Sequence, residues 1–332
     1  MHSSAAIDVS GRRNRGADEW SVTVVSREGA GVVATQVKFR GEPAVTLTSG
    51  SMNATFAPGL GMAGVSLRFR GGEYLVLPGG LDHLRAGLTG GLPLLAPWAN
   101  RLSTRTFRVA GVGVDLRRTA LSIDDNGLPI HGLLVGRSVW KIDQLSTRSR
   151  SASLRASFEV ATAGFPFPHR IDVDVTVREP DLVVATTVTP TGRRRVPIAF
   201  GWHPYLRLPE TPRSRWNLRL PPRSHVALDG RGLPTGDAIH EPGEAERIGR
   251  RRFDDLYALG RTRRLGLSAE NGRSVELRCD DRYPFAQVWV PPGRQYAALE
   301  PMTARTNALV EESVSFVMPG ESFTASFTLT LT

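Results

Sequence analysis

A chain of 332 residues is about two domains' worth at ~150 residues each, or one large all-β domain. Its 40% apolar share suits a soluble protein with a substantial core. The net charge of +10 is almost all arginine, Lys38 and Lys141 being the only lysines, and Cys279 is the only cysteine, which excludes an intramolecular disulfide framework and a cysteine-based zinc site.

No apolar run approaches the ~18 residues of a bilayer span, so no membrane association is expected. The opening twenty residues show no apolar signal region; a polar, disordered extension over 1–20 and cytoplasmic residence are the simplest expectations. The arginine clusters (Arg12, Arg13 and Arg15; Arg193 to Arg195; Arg250 to Arg252; Arg261, Arg263 and Arg264) are short and lack interleaved aromatics. They read as solvated loops, and no nucleic-acid partner is expected.

Past the extension, residues 21–42 can add a strand to a main body that begins near Val45, giving one domain over 21–332. Apolar residues then alternate with polar ones almost to the end: Val65, Leu67 and Phe69; Ala152, Leu154, Ala156, Phe158 and Val160; Ile171, Val173, Val175 and Val177; Phe323, Ala325, Phe327, Leu329 and Leu331. That period of two belongs to strands buried on one face. The 34 glycines and 23 prolines exceed the usual ~12% share and mark turns such as Pro58-Gly59, Pro190-Thr191-Gly192 and Pro319-Gly320. No amphipathic helix longer than three turns is evident. The Pro- and Arg-rich stretches 209–224 and 234–252 read as loops. The prediction is an all-β fold, a large antiparallel β-sandwich.

Four segments interrupt this pattern with ionisable side chains. In PLLAPWANRL (93–102), Arg101 emerges from an apolar run, either to snorkel to the surface or to offer its fork of donors to a ligand. In LPIHGLL (128–134), His131 is either a satisfied core histidine or a site residue, and Gly132 permits close approach. In PIAFGWHPYL (197–206), His203 lies between aromatic residues, as a core group or on a rigid concave surface. In QYAALEPMTARTNAL (295–309), Glu300 ends an apolar strand and Pro301 is expected to stop the ladder. A carboxylate there is either ion-paired, with Arg305 or another arginine, or functionally poised.

A buried carboxylate with histidines suits acid–base work on a hydroxyl-rich substrate. The chain has no GxSxG elbow, no Walker loop, no strand-borne GxGxxG and no HExxH, and the two histidines lack short metal-ligand spacing, so neither metal nor cofactor is expected.

In order and context, ANRL, IHGLL, GWHPYL, the FDD of RRFDDLYAL and ALEPMT resemble the aldose 1-epimerase (galactose mutarotase) family, specifically its broader bacterial branch, over roughly residues 44–332. The resemblance implies an antiparallel supersandwich that interconverts the anomers of a free aldose sugar without cofactor, as a monomer or homodimer. It further implies Glu300 as general base at the C1 hydroxyl and His203 as general acid at the ring oxygen. His131 would act near that oxygen, while Asn100, Arg101, Asp254 and Gln287 would hold hydroxyls; Asp255 is the alternative to Asp254. Three rivals remain: a hexose-6-phosphate epimerase of the same superfamily, a non-catalytic sugar-binding protein on the same sandwich, and a glycoside hydrolase using Asp254 as a second carboxylate.

Overall fold

The structure, a computed structural model, describes residues 24–27 and 31–332, with side chains from 31 onward; the expected extension over 1–20 lies outside them. The alternating segments form three large antiparallel sheets. The first is a meander of Val24–Arg27, Val32–Phe39, Glu42–Ser49, Met52–Ala57, Ala63–Phe69 and Gly72–Glu73. The second has nine strands, in the lateral order Lys141–Arg148, Ser151–Thr162, Phe165–Arg178, Asp181–Pro190, Phe323–Leu331, Ser274–Cys279, Arg264–Ser268, Asn217–Leu220 and Glu244–Arg247. The third runs Pro234–Glu241, Arg223–Leu228, Phe253–Leu259, Phe285–Val290, Ala297–Met302, Gly201–Trp202, Leu94–Leu95, with Tyr205–Leu206 also pairing to Ala297–Met302. Among the described residues the only α-helix is Gly80–Arg85, and no helix is long and apolar enough to cross a membrane.

Register explains why alternation sufficed to specify the nine-stranded sheet. Leu154 pairs with Val175, Val175 with Val184, Val184 with Phe327, and Phe327 with Cys279. All five are buried, so one rung of apolar side chains crosses five strands on a single face. A one-residue slip of any strand would turn its apolar set to solvent. These side chains join residues of the other two sheets, such as Leu47 and Leu299, in one continuous hydrophobic core.

Two expectations need correcting. The stretches read as loops at 209–224 and 234–252 contain the strands Asn217–Leu220, Pro234–Glu241 and Glu244–Arg247. Pro234–Glu241 is an edge strand, mostly exposed on both faces, so no apolar alternation announces it. Nor does Pro301 stop the ladder, which continues through it to Met302 opposite Phe285; a proline removes only one donor.

The third sheet has unlike faces. Val288, Val290 and Leu299 enter the main core. Leu256 and Met302 point the other way, into a smaller cluster with Leu95 and Ala99. Period two puts Glu300, Gln287 and Asp254 on this second face.

Phe327→Ala is expected to destabilise the protein by ~3–5 kcal/mol, whereas Ile239→Ala, at a side chain 70% exposed, should stay within ~0.5 kcal/mol. Denaturant melts of both variants check this.

Candidate active site

Three neighbouring strands present three polar side chains to one cavity of about 560 Å³. Glu300 and Gln287 are direct register partners, and Asp254 lies on the next strand over, opposite Trp289. Gln287 Nε2 donates to Asp254 Oδ1 at 2.7 Å. Asp254 lines this cavity and Asp255 does not; Asp255 lies in a second cleft on the opposite face, near His225 and Tyr257.

The remaining polar groups arrive on loops stitched to one another through the main chain. Asn100 and His131 both have left-handed backbones, with φ of 57° and 64°, and the His131 N–H donates to the Asn100 carbonyl at 3.0 Å. A non-glycine residue at positive φ stores strain that the surroundings must hold in place. Gly132 is required next to them, because a Cβ there would lie 2.2 Å from the Ala96 carbonyl oxygen. The close approach that the sequence suggested is therefore one of backbone to backbone. The His203 N–H donates to the Pro93 carbonyl at 3.1 Å, bringing GWHPYL beside the ANRL segment. The residues after Glu300 brace the same loops: Asn307 donates its N–H to the Arg101 carbonyl, and its Oδ1 accepts from Ser103 N–H at 2.8 Å.

His203 Nε2 lies 3.2 Å from Glu300 Oε1, and both side chains are almost wholly buried. Arg305, the ion-pair partner considered for Glu300, is paired with Glu311 instead. The His131 ring meets His203 edge-on at 5.3 Å. Arg101 neither snorkels nor swings free: its Nε donates to Asp124 Oδ2 at 2.7 Å, one terminal nitrogen donates to Asn100 Oδ1 at 3.2 Å, and the other lies 3.7 Å from Asp254 Oδ2.

Burial sets the protonation states. Loss of solvent pushes the Glu300 carboxyl well above its ordinary value, with the Asp254 charge adding to the effect and Arg101 opposing it. The same loss of solvent lowers His203 to about 3. His131 is held well below 6.5 by burial, then by His203 and Arg101. Desolvation penalises whichever form is charged, so burial favours a neutral acid beside a neutral imidazole. Of the nine buried side-chain atoms without a partner among the described residues, four stand here: Glu300 Oε2, Gln287 Oε1, His131 Nδ1 and His203 Nδ1. Buried polar atoms left unpaired in this way are costly unless something else meets them, and all four belong to residues lining the cavity.

All seven residues singled out from the sequence line this cavity, and three further ones matter. Tyr205 stacks flat on His203, with centroids 4.5 Å apart and planes 12° apart, and its hydroxyl lies 2.6 Å from Thr89 Oγ1. Trp289 meets His203 edge-on at 5.7 Å. Asp124 anchors Arg101 while accepting the N–H groups of Asn126 and Leu128. Trp289 was accessible to strand periodicity, two residues beyond Gln287. Asp124 was not, because an aspartate in a DDNG turn looks like turn chemistry alone.

Similar folds appear among solved structures. A galactose mutarotase-like protein from Clostridium acetobutylicum superposes with a TM-score of 0.81 at 18% identity, covering 92% of this chain and 99% of its own. Galactose 1-epimerase from Lactobacillus acidophilus gives 0.71 at 15% identity, covering 90% and 98%. The aldose epimerase homologue from C. elegans gives 0.68 at 16%, covering 85% and 96%. At these identities the likeness defines the class of fold, a galactose mutarotase-like β-sandwich. The chain belongs to the aldose 1-epimerase family, whose sequence pattern matches residues 43–330. No curated protein matches the sequence significantly.

Raised by burial, the Glu300 carboxyl costs the fold stability once it ionises: the folded state holds its proton more tightly than the unfolded chain does, so stability falls as pH rises above the ordinary 4.5. Glu300→Gln is expected to raise the melting temperature by ~2–5 °C at neutral to alkaline pH. The gain should vanish below pH 4.5. Calorimetry across pH checks it.

Proposed function

We propose that this protein is a cofactor-independent aldose 1-epimerase, opening and reclosing the ring of an unmodified hexose. The observation that carries the reading is the contact of Glu300 with His203 inside a walled cavity. The exchange needs a base and an acid serving two oxygens bonded to the same anomeric carbon. A carboxylate and an imidazole 3.2 Å apart are spaced for such a geminal pair.

In the ring-opening direction Glu300, as carboxylate, takes the proton of the C1 hydroxyl. The C1–O1 bond becomes a carbonyl as the C1–O5 bond breaks, and His203, as imidazolium, delivers a proton to O5. Rotation about C1–C2 presents the other face of the aldehyde. Reclosure returns the proton from Glu300 to O1 while His203 recovers the one on O5. His131 stabilises charge near O5, and Asn100, Arg101, Gln287 and Asp254 hold hydroxyls. The same reading treats residues 21–332 as one domain, since the C-terminal strand lies inside the nine-stranded sheet.

The pair carries one proton throughout. With that proton on Glu300, the resting state favoured by burial, it matches the open-chain aldehyde; transferred to His203, it matches the ring. Overall charge is identical, so one protonation window serves both directions. Each positioned acid or base contributes ~10²–10⁴-fold, ample for a reaction that already proceeds slowly unaided. A glycoside hydrolase is disfavoured because Asp254 is tied to Gln287 and Arg101 and Glu300 has an imidazole, not a second carboxylate, at its side.

Polarimetry on fresh α-D-glucose and α-D-galactose tests the activity; sugar binding without acceleration would instead indicate a binding protein. Glu300→Gln and His203→Asn should each lower kcat by ~10²-fold or more with sugar affinity retained, and Arg101→Ala should mainly raise KM. The pH profile of kcat/KM should be bell-shaped. Its acid limb, the second protonation of the pair at His203, should lie below 6.5, and its alkaline limb, the ionisation of Glu300, above 4.5. Activity that climbs through pH 6.5 as a free imidazole titrates would contradict the assignment.

A further inference from the structure

Resting on that reading, we infer that the cavity selects aldoses that are uncharged or carry an ammonium group and turns away phosphorylated ones, with Asp125 and Asp254 enforcing the choice. Among the described residues Arg101 is the only lysine or arginine that lines the cavity. Its Nε and one terminal nitrogen already donate to Asp124 and Asn100, and the other lies 3.7 Å from Asp254, so little of the fork that would grip a phosphate is free. Four carboxyl residues share the lining: Asp124, Asp125, Asp254 and Glu300.

Arg101 offsets Asp124, and Glu300 faces His203. Asp125 is exposed and has no ion-pair partner among the described residues. Asp254 is about half exposed, with 3.7 Å between its Oδ2 and the shared guanidinium. The histidines add no compensating charge, being buried and neutral at pH 7. A ligand is independently indicated by Gln287 Oε1 and Glu300 Oε2, unpaired on side chains 2% exposed.

Volume does not make this choice, because 560 Å³ accommodates a hexose with or without a phosphate. Charge does. The arginine-rich exterior gives little help, since exposed charges are screened beyond ~8 Å at physiological salt, and like charges brought together in a site cost several kcal/mol.

The test compares kcat/KM for glucose, glucose 6-phosphate and glucosamine at pH 6, where the amine is protonated, using the full chain. Glucose 6-phosphate should be turned over at least ~10-fold less efficiently than glucose, and glucosamine at least as efficiently as glucose. Both differences should shrink when salt is raised from 50 to 300 mM. Asp125→Asn should raise the ratio of 6-phosphate to glucose efficiency by ~3-fold. Glucose accelerated normally with the 6-phosphate equal or better, or a ratio unmoved by both salt and Asp125→Asn, overturns the inference. No acceleration of any sugar would instead sink the acid–base reading beneath it.

Discussion

The structure turns on keeping a carboxyl group away from water. Glu300 ends up beside an imidazole on a strand buried along its whole length, where neither group is easily charged alone. Desolvation raises one and lowers the other, so burial favours the proton on the carboxyl and leaves both groups neutral. The fold packs the imidazole on several sides: Tyr205 covers one face of the His203 ring, and Trp289 and His131 meet it edge-on. Rigid neighbours of this kind remove the need for solvent to reorganise as charge moves.

The supporting residues show how loops are made as stiff as strands. Asn100, His131 and Gly132 form backbone bridges instead of relying on side-chain packing, and the left-handed conformations at all three are held beside the hydrogen bonds from His131 N–H to the Asn100 carbonyl and from Leu133 N–H to the Ala96 carbonyl. Arg101 is restrained through three different partners. Asn307, far along the chain, closes the arrangement by bonding the Arg101 carbonyl. This explains why the short motifs are scattered over two hundred residues yet occupy one place.

The sandwich was legible because alternation is a direct consequence of one-sided burial; Val173, Val175, Val184 and Phe327 obey it with hardly an exception. Edge strands escaped, since Pro234–Glu241 needs neither an apolar face nor a second neighbour. The site was legible in part because ionisable groups in apolar runs violate the same rule, as Glu300 and His203 do. Asp254 and Gln287 violated nothing, being ordinary polar positions of strands, and only resemblance to a family pointed to them. Asp124 had no signal at all: its partnership with Arg101 is a matter of three-dimensional closure between a turn and a loop.

The row Asp254, Gln287 and Glu300 has a metric consequence. Neighbouring strands are held ~4.8 Å apart, and Asp254 lies two residues along its strand, opposite Trp289 and not Gln287, so carboxyl, amide and carboxyl form a staggered series whose intervals the register fixes. Because those intervals belong to the main chain, a shift at any one of the three groups would have to carry its strand with it.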